Sequence, residues 1–172
     1  MNIAPSDLVD FGGQRSFDMT HQLFIRQNGT FVVMFDGRYG FLKLLPEYHG
    51  LKMTNEDIVK HWVNSILTYC VVGQSIMPMI LFAASHSDHF TKEELKLRKK
   101  EYLEILRGYF GDHPMKDHIV LDTIFFINAT NPEDDGVKSL QKRLVTIAMK
   151  QPTWGKRMPI RWVPLEMQIA AM

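Results

Sequence analysis

Runs of apolar residues separated by amphipathic stretches set the hydrophobic pattern of this chain. Three runs have strand length and almost no polar position, namely residues 30–35, 77–84 and 119–127. A strand without alternation must be covered on both faces, which is typical of a parallel sheet. A shorter apolar strand leads into Asp10.

The stretches between these runs repeat apolar positions every three or four residues, which predicts amphipathic helices. We expect helices over residues 14–26, from Thr54 or Asn55 to near Gly73, from the capping-box pair Thr91 and Glu94 to Gly111, and over residues 134–150. The second helix is predicted to bury Val59, Trp62, Ile66 and Tyr69. In the third, lysines alternate with glutamates, which favours a solvated face over a basic patch. Strands and helices thus alternate, which predicts an α/β domain with a parallel sheet covered on both sides.

Composition narrows the class of protein. The 172 residues are 45% hydrophobic and 23% charged, enough for one domain with its own core. The formal net charge of +1 leaves no basic surplus, which disfavours general nucleic-acid binding. A single cysteine, Cys70, excludes an internal disulfide, and without a leader-like start this favours the cytoplasm. No apolar run approaches the roughly 20 residues of a membrane span.

The residues that follow each strand are the candidates for chemistry, because ligands of parallel α/β sheets bind beyond the carboxyl ends of the strands. Three sets qualify: Asp10-Phe11-Gly12-Gly13-Gln14, Ser85-His86-Ser87-Asp88 and Asn128-Ala129-Thr130. The first suits a carboxylate that faces a metal and a backbone N–H that faces a phosphate. Taken alone, it also fits a tight loop in which Asp10 caps the next helix. The second also fits an ordinary polar loop before a helix, or a metal site of His86, Asp88 and His89.

Taken in order, the three sets resemble the Asp-x-x-Gly, (Asn/Thr)-(Lys/His)-x-Asp and Ser-Ala-Lys-type motifs of Ras-like GTPases. The histidine in the second set, Asn-Ala-Thr in the third and His21 are similar to the Roc (Ras of complex proteins) domain of the Roco family. The stretch from Trp154 to Glu166 resembles the start of the COR region that follows Roc. The resemblance implies a Ras-like P-loop NTPase fold, three-layered around a mainly parallel sheet. Residues 1–150 would be the carboxyl-terminal part of a Roc-like domain, and residues 151–172 a linker and the start of COR.

The resemblance also implies a molecular switch in signalling that binds GTP or GDP with Mg²⁺ and hydrolyses GTP. Asp88 would accept both donors of the guanine edge, which adenine lacks. His86 would lie over the base, and the Ala129 N–H would meet the guanine carbonyl oxygen. Ser85, Asn128 and Thr130 complete these base-binding motifs.

At the phosphate end, the resemblance assigns three residues. Asp10 would act on Mg²⁺ through water, and the Gly13 N–H would meet the γ-phosphate. Gln14 would orient the attacking water as the catalytic residue. Without the resemblance, Gln14 is equally a solvent-facing residue at the start of a helix.

One departure from the family is large. The sequence has no Gly-x-x-x-x-Gly-Lys-(Ser/Thr), the loop that holds the phosphates and Mg²⁺. In the family this loop precedes Asp-x-x-Gly, so we expect the chain to be a fragment that lacks the first strands, folds poorly alone and is not a competent GTPase alone. The alternatives are a nucleotide-free Roc-like protein-interaction module, with a Roc-COR dimer among its implied partners, and an unrelated α/β enzyme.

Overall fold

The computed structural model describes residues 10, 29–48, 52–69, 78–151 and 154. In these ranges the strands are β1 (Thr30–Asp36), β2 (Met79–Ser85) and β3 (Phe125–Phe126), and the α-helices are α1 (Asn55–Tyr69), α2 (Lys92–Phe110) and α3 (Asp135–Ala148). Single 3₁₀ turns cover Ser87–His89 and Lys116–His118. The predicted alternation of strands and helices is confirmed over these ranges. No helix among the described residues is both long and apolar enough to cross a membrane.

The described strands form one parallel sheet in the order β1-β2-β3. β1 and β2 pair along their whole length, from Thr30 beside Met79 to Asp36 beside Ser85. β3 adds only a short ladder, with Phe126 beside Ala84. All three strands therefore end at the same edge of the sheet.

Helices cover both faces of the sheet at β2, as predicted, whereas Met34 on β1 is 50% exposed. Along β2, Ile80, Phe82 and Ala84 join a core cluster that includes residues of α1 and α2. The alternate residues Leu81 and Ala83 join a second cluster that includes Ile147 of α3. These five β2 side chains have no exposed surface, which explains why the strand is apolar as far as Ser85.

The buried side of α1 differs from the prediction. Val59 and Ile66 are buried as expected, but Tyr69 is 44% exposed and Trp62 is only partly buried. Val63 is fully buried instead. Val59 and Val63 are four residues apart, which is more than the 3.6 residues of one helical turn. The buried side of α1 therefore shifts around the helix and away from Tyr69.

Residues 119–127 do not form the single strand that was predicted. Ile119 bridges to β2 by itself, and regular pairing resumes at Phe125. Ile119 and Phe125 are six positions apart while their partners on β2 are three apart, so the residues between them must loop out. Asp122 lies in this loop, exposed, and accepts a hydrogen bond of 2.9 Å from Arg143 Nη2. Aspartate is unfavourable inside a buried strand, because its charge needs water or a partner.

Side-chain caps fix where the helices begin. The predicted capping box of α2 is confirmed, since the Glu94 N–H donates to Thr91 Oγ1 and the Thr91 N–H donates to Glu94 Oε2. Asp134 caps α3 by accepting from the Val137 N–H at 2.9 Å. These caps make Lys92 and Asp135 the first residues of α2 and α3.

Two buried polar side chains hold the loop that follows β1. Asn55 is fully buried and its Nδ2 donates to the Asp36 carbonyl oxygen at 2.7 Å. The Tyr102 hydroxyl, from α2, donates to the Tyr39 carbonyl oxygen at 2.6 Å. Burial raises the pKa of Tyr102, so the phenol stays a neutral donor. These bonds attach the loop to both helices on that face of the sheet.

A charged pair closes the end of β1. Arg38 Nη2 lies 2.6 Å from Asp36 Oδ2, and its Nε lies 3.1 Å from both carboxylate oxygens. Burial by itself would raise the pKa of Asp36, but the hydrogen bonds from the Arg38 side chain and backbone N–H outweigh it and hold that pKa below its usual value. Arg38 also reaches Glu47 at 2.9 Å, which links the pair to the far side of the loop.

Gly37 lets β1 turn tightly against β2. A Cβ atom on Gly37 would lie 2.4 Å from the Ser85 carbonyl oxygen, a contact that only glycine avoids. The obstacle is backbone, so it cannot rotate away. At Gly40, three residues later, a Cβ would meet only the flexible Lys43 side chain, at 3.6 Å or more.

Gly37→Ala should lower the free energy of unfolding by about 1–3 kcal/mol, because one strand end must shift to relieve the clash. Gly40→Ala is the matched control and should change it by less than about 0.5 kcal/mol. Urea unfolding followed by circular dichroism measures both. Equal stability of the two variants would contradict the close approach of β1 and β2.

Asp36→Asn should lower stability by about 1 kcal/mol near neutral pH, since the pair with Arg38 is partly exposed. Because the folded pKa lies below the unfolded value of about 3.9, the charged pair stabilises the fold above that pH and this contribution fades as the pH falls through the folded pKa. The gap between wild type and variant should therefore narrow below about pH 4. Asp117→Asn, at an exposed carboxylate without an ion pair to described residues, is the control and should change stability by less than about 0.5 kcal/mol at neutral pH. A gap that stays constant with pH would rule out the charged pair as its source.

Candidate functional site

Two of the three predicted sets meet at the carboxyl edge of the sheet. The Ile127 N–H donates to the Ala84 carbonyl oxygen at 2.9 Å, and the Ser87 N–H donates to the Ile127 carbonyl oxygen at 3.1 Å. These bonds join the turn after β2 to the loop after β3. Ser85 to Asp88 and Asn128 to Thr130 are therefore neighbours at one edge, which we call the carboxyl edge.

The turn after β2 has an unusual backbone. His86 adopts a left-handed conformation, with φ 60° and ψ 42°, and it is the one non-glycine residue with positive φ in the described part of the chain. This conformation costs roughly 1–2 kcal/mol for a residue with a side chain. The residues on either side of His86 are held in place. Ser87 is buried, and Ser85 Oγ lies 3.3 Å from the Phe35 carbonyl oxygen.

The polar side chains of this turn face solvent. Asp88 and His89 are about half exposed, and His86 is half-buried. His89 Nε2 lies 3.9 Å from Asp88 Oδ2, and the His86 and His89 rings meet edge to face with centroids 5.6 Å apart. One ligand atom from each of the three residues falls within 4.8 Å of the others. The group can thus offer a carboxylate and an imidazole to a planar ligand, or three ligand atoms to a metal ion.

The loop after β3 is shaped by its own asparagine. Asn128 Oδ1 accepts from the Thr130 N–H at 3.1 Å and from the Thr130 hydroxyl at 2.7 Å. This local turn leaves Ala129 exposed at the tip. Among the described residues, the Ala129 N–H has no hydrogen-bond partner, so it remains available as a donor.

The first predicted set is described at one residue only. Asp10 is exposed. Gly13, Gln14 and the strand expected before Asp10 lie outside the described residues. So do His21 and, apart from Trp154, the stretch assigned to the start of COR.

Asp36 and Arg38 belong to the carboxyl edge but were not predicted there. Asp36 is the register partner of Ser85, the residue that directly precedes His86. The signal was present in the sequence, since Asp36-Gly37-Arg38 directly follows an apolar run. The Asp36 carboxylate accepts hydrogen bonds from Arg38. It is therefore less available to a ligand than the Asp88 carboxylate.

Comparison with known proteins finds distant relatives for nearly the whole chain. It is 25% identical over 164 residues, 94% of its length, to the probable serine/threonine-protein kinase qkgA of Dictyostelium discoideum. It is 27% identical over 163 residues, 93% of its length, to the probable serine/threonine-protein kinase roco11 of the same organism. The chain spans 9% of the length of each of these relatives.

No family model matches the chain, and no solved structure matches it significantly. The similarity to the two kinases is low in identity, but it extends from one end of the chain nearly to the other. The chain is thus similar to one region of Roco-family kinases.

Proposed function

We propose that this chain is part of a Roc-type GTPase domain and supplies its guanine-recognition surface. The observation that carries the proposal is the carboxyl edge, where Ser85-His86-Ser87-Asp88 and Asn128-Ala129-Thr130 end neighbouring parallel strands. Ligands of parallel α/β sheets bind at such an edge. The low-identity similarity to Roco-family kinases supports the same assignment.

Asp88 has the chemistry to select guanine. Its carboxylate is about half exposed, and His89 Nε2 lies 3.9 Å from its Oδ2. Both oxygens can therefore accept the two adjacent N–H donors on the guanine edge as a charge-assisted pair. Adenine does not present that pair of donors.

His86 and Ala129 complete base recognition in this proposal. The left-handed backbone of His86 sets the direction of its imidazole, which would lie over the base. The exposed Ala129 N–H would donate to the guanine carbonyl oxygen. Asn128 and Thr130 hold that N–H at the tip of its loop by their mutual hydrogen bonds.

The sheet is compatible with a Ras-like P-loop NTPase fold. In that fold, the strand that leads to the phosphate loop would pair with β1 on the side away from β2. Among the described residues, β1 pairs only with β2, which leaves room for such a strand. Residues 151–172 would then begin the COR region, and contacts between Roc and COR would be the protein partnership.

Phosphate and Mg²⁺ binding would come from Asp10, Gly13 and a phosphate loop contributed by another segment. A nanomolar affinity needs about 12 kcal/mol, and each charged hydrogen bond contributes roughly 1.5–3 kcal/mol. Without five or six phosphate contacts, the 172 residues should bind a guanine nucleotide at about millimolar strength. GTP hydrolysis belongs to the completed domain. The kinase activity named for the two relatives is not assigned to this chain.

Asp88→Ala should weaken GDP binding by a completed domain, in which a phosphate-loop segment is joined before residue 1, by about 2–4 kcal/mol. The cause is loss of a charged, two-point hydrogen bond. Titration with a fluorescent GDP measures it, with ADP as competitor to report base selectivity. Asp117→Ala, at an exposed carboxylate away from the carboxyl edge, is the control and should bind normally.

Asp88→Asn tests base recognition by a gain of binding, which a misfolded variant would not show. An amide replaces one acceptor by a donor, so the variant should prefer xanthine nucleotide, whose ring carries a carbonyl in place of the guanine amino group. Equal affinity of the wild type for GDP and ADP would overturn the guanine assignment. It would favour the nucleotide-free interaction module.

Gln14→Leu should slow single-turnover GTP hydrolysis in the completed domain and leave nucleotide affinity within about 1 kcal/mol. Leucine has similar bulk but cannot orient water. Gln22→Leu, a second glutamine in the same stretch, is the control for an added leucine. An unchanged hydrolysis rate would remove Gln14 from the mechanism.

A further inference from the structure

The turn after β2 brings together three side chains of the kinds that bind metal ions. His86, Asp88 and His89 each place one ligand atom, an imidazole nitrogen or a carboxylate oxygen, within 4.8 Å of the other two. In the described part of the chain, this is the one such group of three. The two imidazole rings are in edge-to-face contact, with centroids 5.6 Å apart. We call these residues the His-Asp-His cluster.

The backbone that carries the His-Asp-His cluster is held in place. The His89 N–H donates to the His86 carbonyl oxygen at 3.2 Å, which closes the turn between the two histidines. Ser87 is buried, and its N–H donates to the Ile127 carbonyl oxygen at 3.1 Å. The backbone positions of the three ligands are therefore set before a metal ion arrives. Binding then orders side chains only, which lowers its entropic cost.

The side chains of the cluster are close enough to bind one ion. With bonds of about 2.0–2.2 Å, two nitrogen or oxygen ligands of a tetrahedral zinc ion lie about 3.3–3.5 Å apart. His89 Nε2 and Asp88 Oδ2 are 3.9 Å apart, which is near that spacing. Both side chains are about half exposed, so they have room to turn towards an ion that enters from solvent.

The ligand atoms identify the class of metal ion. Two imidazole nitrogens with one carboxylate oxygen suit Zn²⁺ and neighbouring divalent transition ions, whereas Mg²⁺ and Ca²⁺ prefer oxygen ligands alone. Two histidines, one carboxylate and a water form a known type of zinc site. Because the cluster faces solvent, water can fill the remaining position here.

We propose that the His-Asp-His cluster binds a divalent transition-metal ion of the zinc class, with water in the remaining position. A bound ion would hold the Asp88 carboxylate and direct the His86 imidazole towards itself. Since the same carboxylate is the acceptor proposed for guanine, the metal ion and a guanine base would exclude each other. This competition rests on the function proposed above, whereas the metal site does not.

Titration of the 172-residue chain with Co²⁺ tests the metal site, because the visible absorption of cobalt changes when protein ligands bind it. One Co²⁺ per chain should bind, and Zn²⁺ but not excess Mg²⁺ should displace it. His89→Ala should weaken Co²⁺ binding about tenfold or more, since even the loss of a residue that only orients a ligand commonly costs that much. His61→Ala, at an exposed histidine on α1, is the matched control and should bind as the wild type does.

His86→Gly separates the loss of a ligand from the loss of folding. Glycine adopts the left-handed backbone of residue 86 without strain, so the turn should keep its shape while one imidazole is removed. Circular dichroism should show the helices of the wild type, and Co²⁺ should bind about tenfold or more weakly. Unchanged Co²⁺ binding by His86→Gly or Asp88→Asn, equal weakening by His61→Ala, or no binding by the wild type would overturn the metal site. Displacement of Co²⁺ by Mg²⁺ would overturn the zinc class.

Competition is measured with fluorescent GDP in the completed domain. Zn²⁺ should weaken GDP binding by the wild type and affect His89→Ala much less, because this variant keeps Asp88 but lacks one metal ligand. The variant also corrects for Zn²⁺ that binds the phosphates of GDP. Equal effects on both proteins would overturn the competition. Co²⁺ binding by a domain without guanine selectivity would overturn the proposed function and support the metal site.

Discussion

The full-length pairing of β1 with β2 is the constraint on which the carboxyl edge depends. The ladder continues to the last residue of each strand, so Asp36 and Ser85 end side by side. The chain must then turn without collision, and the closeness of Gly37 to the Ser85 carbonyl oxygen shows how little space remains. A side chain there would push the two ends apart. The position of the turn that carries His86 and Asp88 is therefore set by backbone contacts before any ligand is present.

β3 is held less strongly, and two backbone bonds compensate for its short ladder. Ile127 donates to Ala84 and accepts from Ser87, so the loop after β3 is bound to both the end of β2 and the turn beyond it. At the same point, a Cβ on Gly136 would overlap the Phe126 carbonyl oxygen, which shows how closely α3 approaches β3. The loop with Ala129 thus starts from a fixed base despite the loop-out around Asp122.

Much of the fold could be predicted because buried positions are occupied by apolar residues, and the spacing of these residues is visible in the sequence. β1 and β2 are apolar on both faces, and their positions follow from that pattern, as does the start of α2 from Thr91 and Glu94. The split in residues 119–127 could not be predicted. It depends on a mismatch of register with β2, which a pattern of apolar residues does not carry. Tyr69 was predicted to be buried and is exposed for a similar reason. Which side of a helix is buried depends on the elements that it packs against.

The sequence showed which residues would lie at the carboxyl edge, but not which contacts they would make there. Strand ends pointed to Ser85, Asp88 and Asn128, and these do lie at the carboxyl edge. Asp36-Gly37-Arg38 directly follows an apolar run, which places it at a strand end, but sequence spacing does not show that Arg38 pairs with Asp36. Gly13 and Gln14 lie outside the described residues, and the roles given to all these residues are proposals.

The backbone conformation of His86 is unusual for a residue with a side chain. A left-handed residue directly after a strand is a position that glycine fills without cost, and a histidine there costs roughly 1–2 kcal/mol. The buried Ser87 and its bond to Ile127 hold the turn in place against that cost. The chain has glycine where only backbone space is needed, at Gly37 and Gly136, yet keeps a side chain here. Local strain of this kind is found where a side chain is used, and at His86 the imidazole stands beside the most available carboxylate of the carboxyl edge, Asp88. The strained backbone at His86 is consistent with the guanine-recognition surface proposed for this edge, and this observation does not depend on the sequence resemblance.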